Sequence, residues 1–285
     1  MQKRTFLKTL AAAAVLSSVT LLSGCGDSGS KEFKVGVTAG PHAAIVNKTA
    51  EVAAKDGFKI KVVEFTDYVT PNRALNDGQL DADVYQHEPF LNNYNAQQGT
   101  KLVKVADAVV QPMGMYSNTI KSLEDVKDGA KFAIPNDPSN CARALILMQN
   151  AGLIKLRGDI KGQASPADVA ENPKKLNIIE LEAAQLPRSL SDVDSAVIPM
   201  NYVLSAGLKP KEQGFYFESR KAPFALIVIA ARENNKDDPA VKKFINPEFA
   251  DLFYAYGVLD SGRFIGESSH LVGLGSNQAS FYLRA

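Results

Sequence analysis

Residues 33–90 read FKVGVTAGPHAAIVNKTAEVAAKDGFKIKVVEFTDYVTPNRALNDGQLDADVYQHEPF, and the punctuation of this stretch decides the fold. Phe33, Val35 and Val37 alternate as in a half-buried strand. Gly40-Pro41 breaks that strand, after which Ile45, Thr49, Val52 and Ala53 fall on one helical face that Gly57 ends. Lys59 to Phe65 is rich in Ile and Val and predicts a second strand. Pro71 to Asn76 predicts a short helix entered on proline and left near Gly78. Ala82 to Tyr85 predicts a third strand, with Glu88-Pro89 as the turn beyond it. The order β-α-β-α-β argues for a parallel sheet covered by helices.

A second series follows. Lys131 to Ile134, Asn177 to Leu181 and Ser195 to Ile198 read as strands, and Pro138 to Asn150 as a helix. Phe224 to Ala231 is an apolar run able to return the chain to the first series. Two α/β lobes with a cleft between them are therefore expected, and such clefts, at the carboxyl ends of parallel strands, are where small ligands sit.

With 285 residues, 45% hydrophobic and 22% charged, the chain is long enough for two lobes of ordinary globular composition. Its net charge of +1 offers no basic field for nucleic acid. The N-terminus has its own logic. Lys3, Arg4 and Lys8 precede the apolar run Leu10 to Leu22, and Leu22-Ser23-Gly24-Cys25 closes it. Charge, apolar run and small residues in that order predict a secretory signal over residues 1–24. Its ending resembles a lipobox, so Cys25 is expected to carry acyl chains, palmitate among them, and to anchor the chain to a membrane facing the periplasm or exterior. Residues 25–32 then form a small, polar tether. Gln2 to Lys8 resembles a twin-arginine signal only weakly, and ordinary Sec export is expected. Without residues 1–24, 29 Lys and Arg face 31 Asp and Glu. With Cys25 lipidated, Cys141 is left alone and makes no internal disulfide.

Two stretches bring chemistry together. In Asn136-Asp137-Pro138-Ser139-Asn140-Cys141-Ala142-Arg143, Asp137 is a good N-cap and Pro138 a good first helical residue. Arg143 follows Asn140 by one turn, on the same side. A cation there opposes the helix dipole, and an anion between the two would relieve it. The residues read equally as a well-capped helix with an exposed arginine. In Tyr85-Gln86-His87-Glu88-Pro89-Phe90, with Tyr68 and Tyr94 nearby, the aromatics suit either a pocket wall or ordinary packing. With only His42, His87 and His270, and no paired spacing, no metal site is predicted. No G-x-S-x-G, H-E-x-x-H, C-x-x-C or P-loop is present, so the sequence offers no sign of an enzyme and calls for no cofactor.

Longer strings resemble a known family. They are Val35-Gly36-Val37, Asp67-Tyr68-Val69-Thr70-Pro71-Asn72, Asp81 to Leu91, Tyr116-Ser117, Ile134 to Asn140 with Arg143, Glu171-Asn172-Pro173, and Glu180 to Leu190. Together they look like the methionine-binding lipoproteins of the MetQ/NlpA type, from about Phe33 to Phe244. The resemblance implies a two-lobe type II periplasmic-binding-protein-like fold with mostly parallel sheets flanked by helices. It implies residues 33–112 and 223–285 in lobe I and 113–222 in lobe II. It also implies the extracytoplasmic substrate-binding lipoprotein of an ABC importer, with a permease and its ATPase as partners. Carried over residue by residue, Arg143 would hold a ligand carboxylate with Asn140 beside it. Tyr68, Tyr85, His87 and Tyr94 would line the side-chain pocket, and Asn201 matches a family asparagine. The ligand so implied is methionine or a related amino acid or derivative. The chain departs from the family at Pro199 and Leu226, where asparagine is usual, and residues 246–285 do not match its usual ending. Those departures leave a second reading, a surface or adhesion lipoprotein on the same fold with altered or lost specificity.

Overall fold

A computed structural model describes residues 32–246 apart from 159 and 161. The signal segment, Cys25, the tether up to residue 31 and the tail from residue 247 lie outside the described residues.

Strand β1 (Phe33–Thr38) leads into α1 (Pro41–Lys55), then β2 (Ile60–Phe65), α2 (Thr70–Asn76), β3 (Ala82–His87), α3 (Glu88–Gln98) and β4 (Leu102–Val110). After two residues the chain enters β5 (Met113–Tyr116), β6 (Lys131–Pro135) and α4 (Pro138–Asn150). A small pair, β7 (Lys155–Leu156) and β8 (Val169–Glu171), precedes β9 (Asn177–Leu181) and α5 (Leu186–Ser189). Then come β10 (Ser195–Pro199), α6 (Met200–Ser205), α7 (Pro210–Gln213), β11 (Gly214–Phe217), β12 (Leu226–Arg232) and α8 (Pro239–Phe244). One sheet has the order β2-β1-β3-β12-β4, the other β11-β5-β10-β6-β9. Each carries its own apolar core, around Val35, Val37, Val84 and Ile229 in the first, and Phe132, Ile134, Leu145 and Met148 in the second.

Two expectations need correction. β1 is not half-buried: only Lys34 is exposed, because helices cover both sheet faces. Gly36 is the concession to this crowding, since a Cβ there would overlap the Leu80 side chain. Nor is Glu88-Pro89 a turn, since the two residues open α3. In each sheet four of the five strands point one way, as expected, and one runs against them. β1 pairs parallel with β2 and β3, and β6 with β9 and β10, but β12 runs antiparallel to both its neighbours, and so does β5. The cause is the double crossing between lobes. A strand arriving from the other lobe enters its sheet at the end where the parallel strands finish: Ile227, the second residue of β12, pairs with His87, the last residue of β3. Met113 opens β5 beside Pro199, the last residue of β10. All these strand ends meet at the junction of the lobes. The return of the apolar run 224–231 to the first sheet is as expected.

Candidate functional site

The second-lobe wall of the junction is the start of α4. Asp137 caps that helix by accepting from the Asn140 backbone N–H at 2.9 Å and from Ser139 Oγ at 3.0 Å. It also accepts from Asn140 Nδ2 at 3.1 Å on each oxygen, which turns Asn140 Oδ1 towards the cleft. There Oδ1 lies 3.0 Å from His87 Nε2. His87 Nδ1 accepts from the Phe90 N–H, so Nε2 carries the proton and donates to Asn140. Burial first, and Arg143 second, push the imidazole down to about 3, and the ring is neutral at physiological pH. One chain of hydrogen bonds thus links the caps of two helices, α3 and α4, across the lobes.

Arg143 lies one turn deeper and is 3% exposed. Its Nε and Nη2 grip Glu218 at 2.6–3.1 Å, and Nη2 also donates to the Gln111 carbonyl at 2.8 Å. The bidentate face expected to meet a ligand carboxylate therefore meets one inside the chain. Gln111 and Glu218 belong to the two segments that cross between lobes, and Glu218 further accepts from the Met113 N–H at 3.1 Å. Arg143 ties both crossings to α4. Among the described residues its Nη1 has no hydrogen-bond partner, and the residue lines the junction cavity.

The opposite wall is aromatic. Tyr68 packs against Tyr85, Phe90 and Tyr202 with ring centres 4.9–5.9 Å apart. Its Oη donates to Asn201 Oδ1 at 2.6 Å, lobe to lobe, and Tyr85 Oη donates to the Tyr68 carbonyl at 2.8 Å. Burial drives both phenols well above their ordinary value, so both stay neutral. Phe224 stands edge-on to His87 at 5.4 Å. Gly40 makes this approach possible: at φ 93° it leaves room for α6, and a Cβ would sit 3.1 Å from the Asn201 carbonyl.

Of the residues singled out from sequence, Tyr68, Tyr85, His87, Asn140, Arg143 and Asn201 line one cavity. Tyr94 does not. One turn beyond Phe90, it is carried away from the junction and packs against the cluster of Leu75 and Leu80, within reach of Arg73 on α2 and of Asp77, which caps that helix. Glu88, the neighbour of His87, turns outward to Lys104 at 3.2 Å. Sequence reasoning missed Gln111, Glu218, Met200 and Ile227. Gln111, Met200 and Ile227 join the lining beside Gln86, Phe90 and Pro199, and Glu218 neutralises Arg143. For Glu218 the only available signal was Arg143 itself, a cation at a helix start in need of an acid.

The arrangement supplies donors, amides and rings rather than a nucleophile. Cys141 is buried, and burial, then Glu180, push its thiol up to about 12. Among the described residues no cluster of three His, Cys, Asp or Glu could hold a metal ion.

Known proteins resemble this chain over most of its length. The family described as NlpA lipoprotein matches residues 33–247. A probable D-methionine-binding lipoprotein MetQ of Vibrio cholerae is 44% identical over 241 residues, covering 84% of this chain and 89% of its own. Among solved structures, an ABC transporter periplasmic substrate-binding protein from Coxiella burnetii is 43% identical with a TM-score of 0.71, covering 77% of this chain and 91% of that one. A nutrient-binding protein from Burkholderia cenocepacia, bound to methionine, is 45% identical with a TM-score of 0.70, covering 77% and 98%.

Proposed function

The chain belongs to the NlpA lipoprotein family, and on that footing we propose that it is the ligand-capturing component of an ABC importer, not an enzyme. It takes methionine or a related amino acid into the junction of its lobes and presents it to a permease driven by an ATPase. Cys25 carries the lipid that holds it to the membrane outside the cytoplasm. The observation that carries this reading is the buried cavity at the lobe junction, where Arg143 keeps Nη1 unpartnered beside neutral His87 and an aromatic wall. Nη1 can hold one carboxylate oxygen by a charge-assisted bond, and the rings and Met200 suit an apolar or thioether side chain.

Thermal unfolding with and without candidate ligands tests the proposal. A ligand at 100 times its dissociation constant adds ~2.7 kcal/mol, which for a protein of this size raises Tm by about 5–11 °C. Methionine, its D-enantiomer and short methionine peptides form the panel, and absence of any shift across it would sink the reading. A Cys25→Ala variant should leave the membrane fraction. A second reading, a lipoprotein that keeps the fold without transport, draws on Arg143 already having a carboxylate partner in Glu218. It expects no ligand in the same assay.

A further inference from the structure

Glu218 sits where it can decide what charge a ligand may carry. The pair it makes with Arg143 is dry: the side chains are 3% and 8% exposed, with the closest contact at 2.6 Å. Every other side chain lining the cavity is neutral. His87 is held uncharged by burial, the two tyrosines likewise, and the rest are amides, Phe90, Pro199, Met200 and Ile227. The lining plus Glu218 therefore sums to zero before anything binds. Asp137 and Asp83 are outside the lining, each behind an amide that donates to it, Asn140 and Gln86.

A carboxylate reaching Nη1 would share one guanidinium with Glu218. Two anions on one buried cation leave an uncompensated negative charge, and uncompensated buried charge is strongly disfavoured. A ligand that brings its own ammonium restores the balance. Without Glu218 the guanidinium would be free to satisfy an anion alone. Resting on the reading above, we propose that Glu218 is a specificity-determining residue: by neutralising Arg143 it makes the cavity select net-neutral zwitterions, free amino acids or short peptides, over acids that lack the amine.

The test compares methionine with its near-isosteric 2-hydroxy analogue, and leucine with 2-hydroxyisocaproate, by calorimetry on the wild-type chain and Glu218→Gln. In the wild type the amino acid binds at least tenfold more tightly than the hydroxy acid. In Glu218→Gln, which keeps size and one acceptor oxygen, that ratio falls at least tenfold. A purely structural role would weaken both ligands alike and leave the ratio unmoved, and that result overturns the inference while leaving the importer reading intact. Should Glu218→Gln fail to fold, Arg143→Gln/Glu218→Gln removes both charges. Its ratio should return to favour the amino acid, and a preference for the hydroxy acid there overturns the proposal. Failure of every probe to bind the wild type would remove the importer reading and this inference together.

Discussion

Truncating Arg143 to alanine should destabilise the protein even with no ligand in solution. The guanidinium makes its bonds at 2.6–3.1 Å to Glu218 and one at 2.8 Å to Gln111, at 3% exposure. A surface ion pair would contribute only ~0.2–1 kcal/mol, but this pair has no water to fall back on. Removing one partner strands a buried carboxylate, for which the cost is ~3–5 kcal/mol. For a folded region of this size that lowers Tm by about 6–20 °C. Glu218→Ala strands the guanidinium and should cost a similar amount. Arg143→Ala/Glu218→Ala removes both charges, so its deficit should fall short of the sum of the two single ones by at least ~2 kcal/mol. Urea unfolding of the four proteins, fitted with a common m-value, reads the cycle directly. Additive losses, or an Arg143→Ala deficit under ~1 kcal/mol, would show that the pair is not the knot of the lobe crossing described here.

Other expectations follow from single contacts. Tyr68→Phe deletes the 2.6 Å bond to Asn201 while keeping the ring packing, and should cost ~0.5–1.5 kcal/mol in urea unfolding. Gly40→Ala places a methyl 3.1 Å from the Asn201 carbonyl in a left-handed backbone, with an expected loss of ~1–3 kcal/mol by the same assay. Burial raises the Asp83 carboxyl to about 8, partly opposed by a bond from Gln86. The folded form then favours the proton and the unfolded chain releases it near pH 4, so this group lowers stability progressively from about pH 4 to about pH 8. Asp83→Asn should therefore gain on the wild type at pH 8 by a few kcal/mol and lose that advantage at pH 4; parallel Tm curves would refute it. Cys141, buried and pushed up to about 12, should resist iodoacetamide at pH 8 until the protein is unfolded, as mass spectrometry of intact chains will show.

The degree to which this fold was legible tracks how local its causes are. Proline entries, glycine exits and apolar periods specify an element from its own residues, so α1, α2, α4 and strands β1, β2, β3, β6, β9, β10 and β12 fall where the sequence predicts, while β4, β5, β11 and α3 carried no such signal. Strand direction is set by where the chain re-enters a sheet, and no residue of β12 or β5 encodes that alone. Tyr68, His87, Asn140 and Arg143 were legible because each sits at the end of such an element, and ends of elements meet at the cleft. Tyr94 misled because it shares a helix with Phe90 but lies one turn further out.

Glu218 was the illegible residue, and the reason is physical. Its partner is 75 positions away, it follows a strand too short to announce itself, and Phe217-Glu218-Ser219-Arg220 reads as any solvated turn. Charge accounting around Arg143 could demand an acid without saying whether the chain or the ligand supplies it. That ambiguity is the functional question itself. A site whose cation lacked an internal partner would have to be closed by an anion. Here the cation is already half-satisfied, so the lobes can meet through Tyr68–Asn201 and His87–Asn140 on their own. Selectivity is left to whatever charge the remaining Nη1 can accept without breaking neutrality.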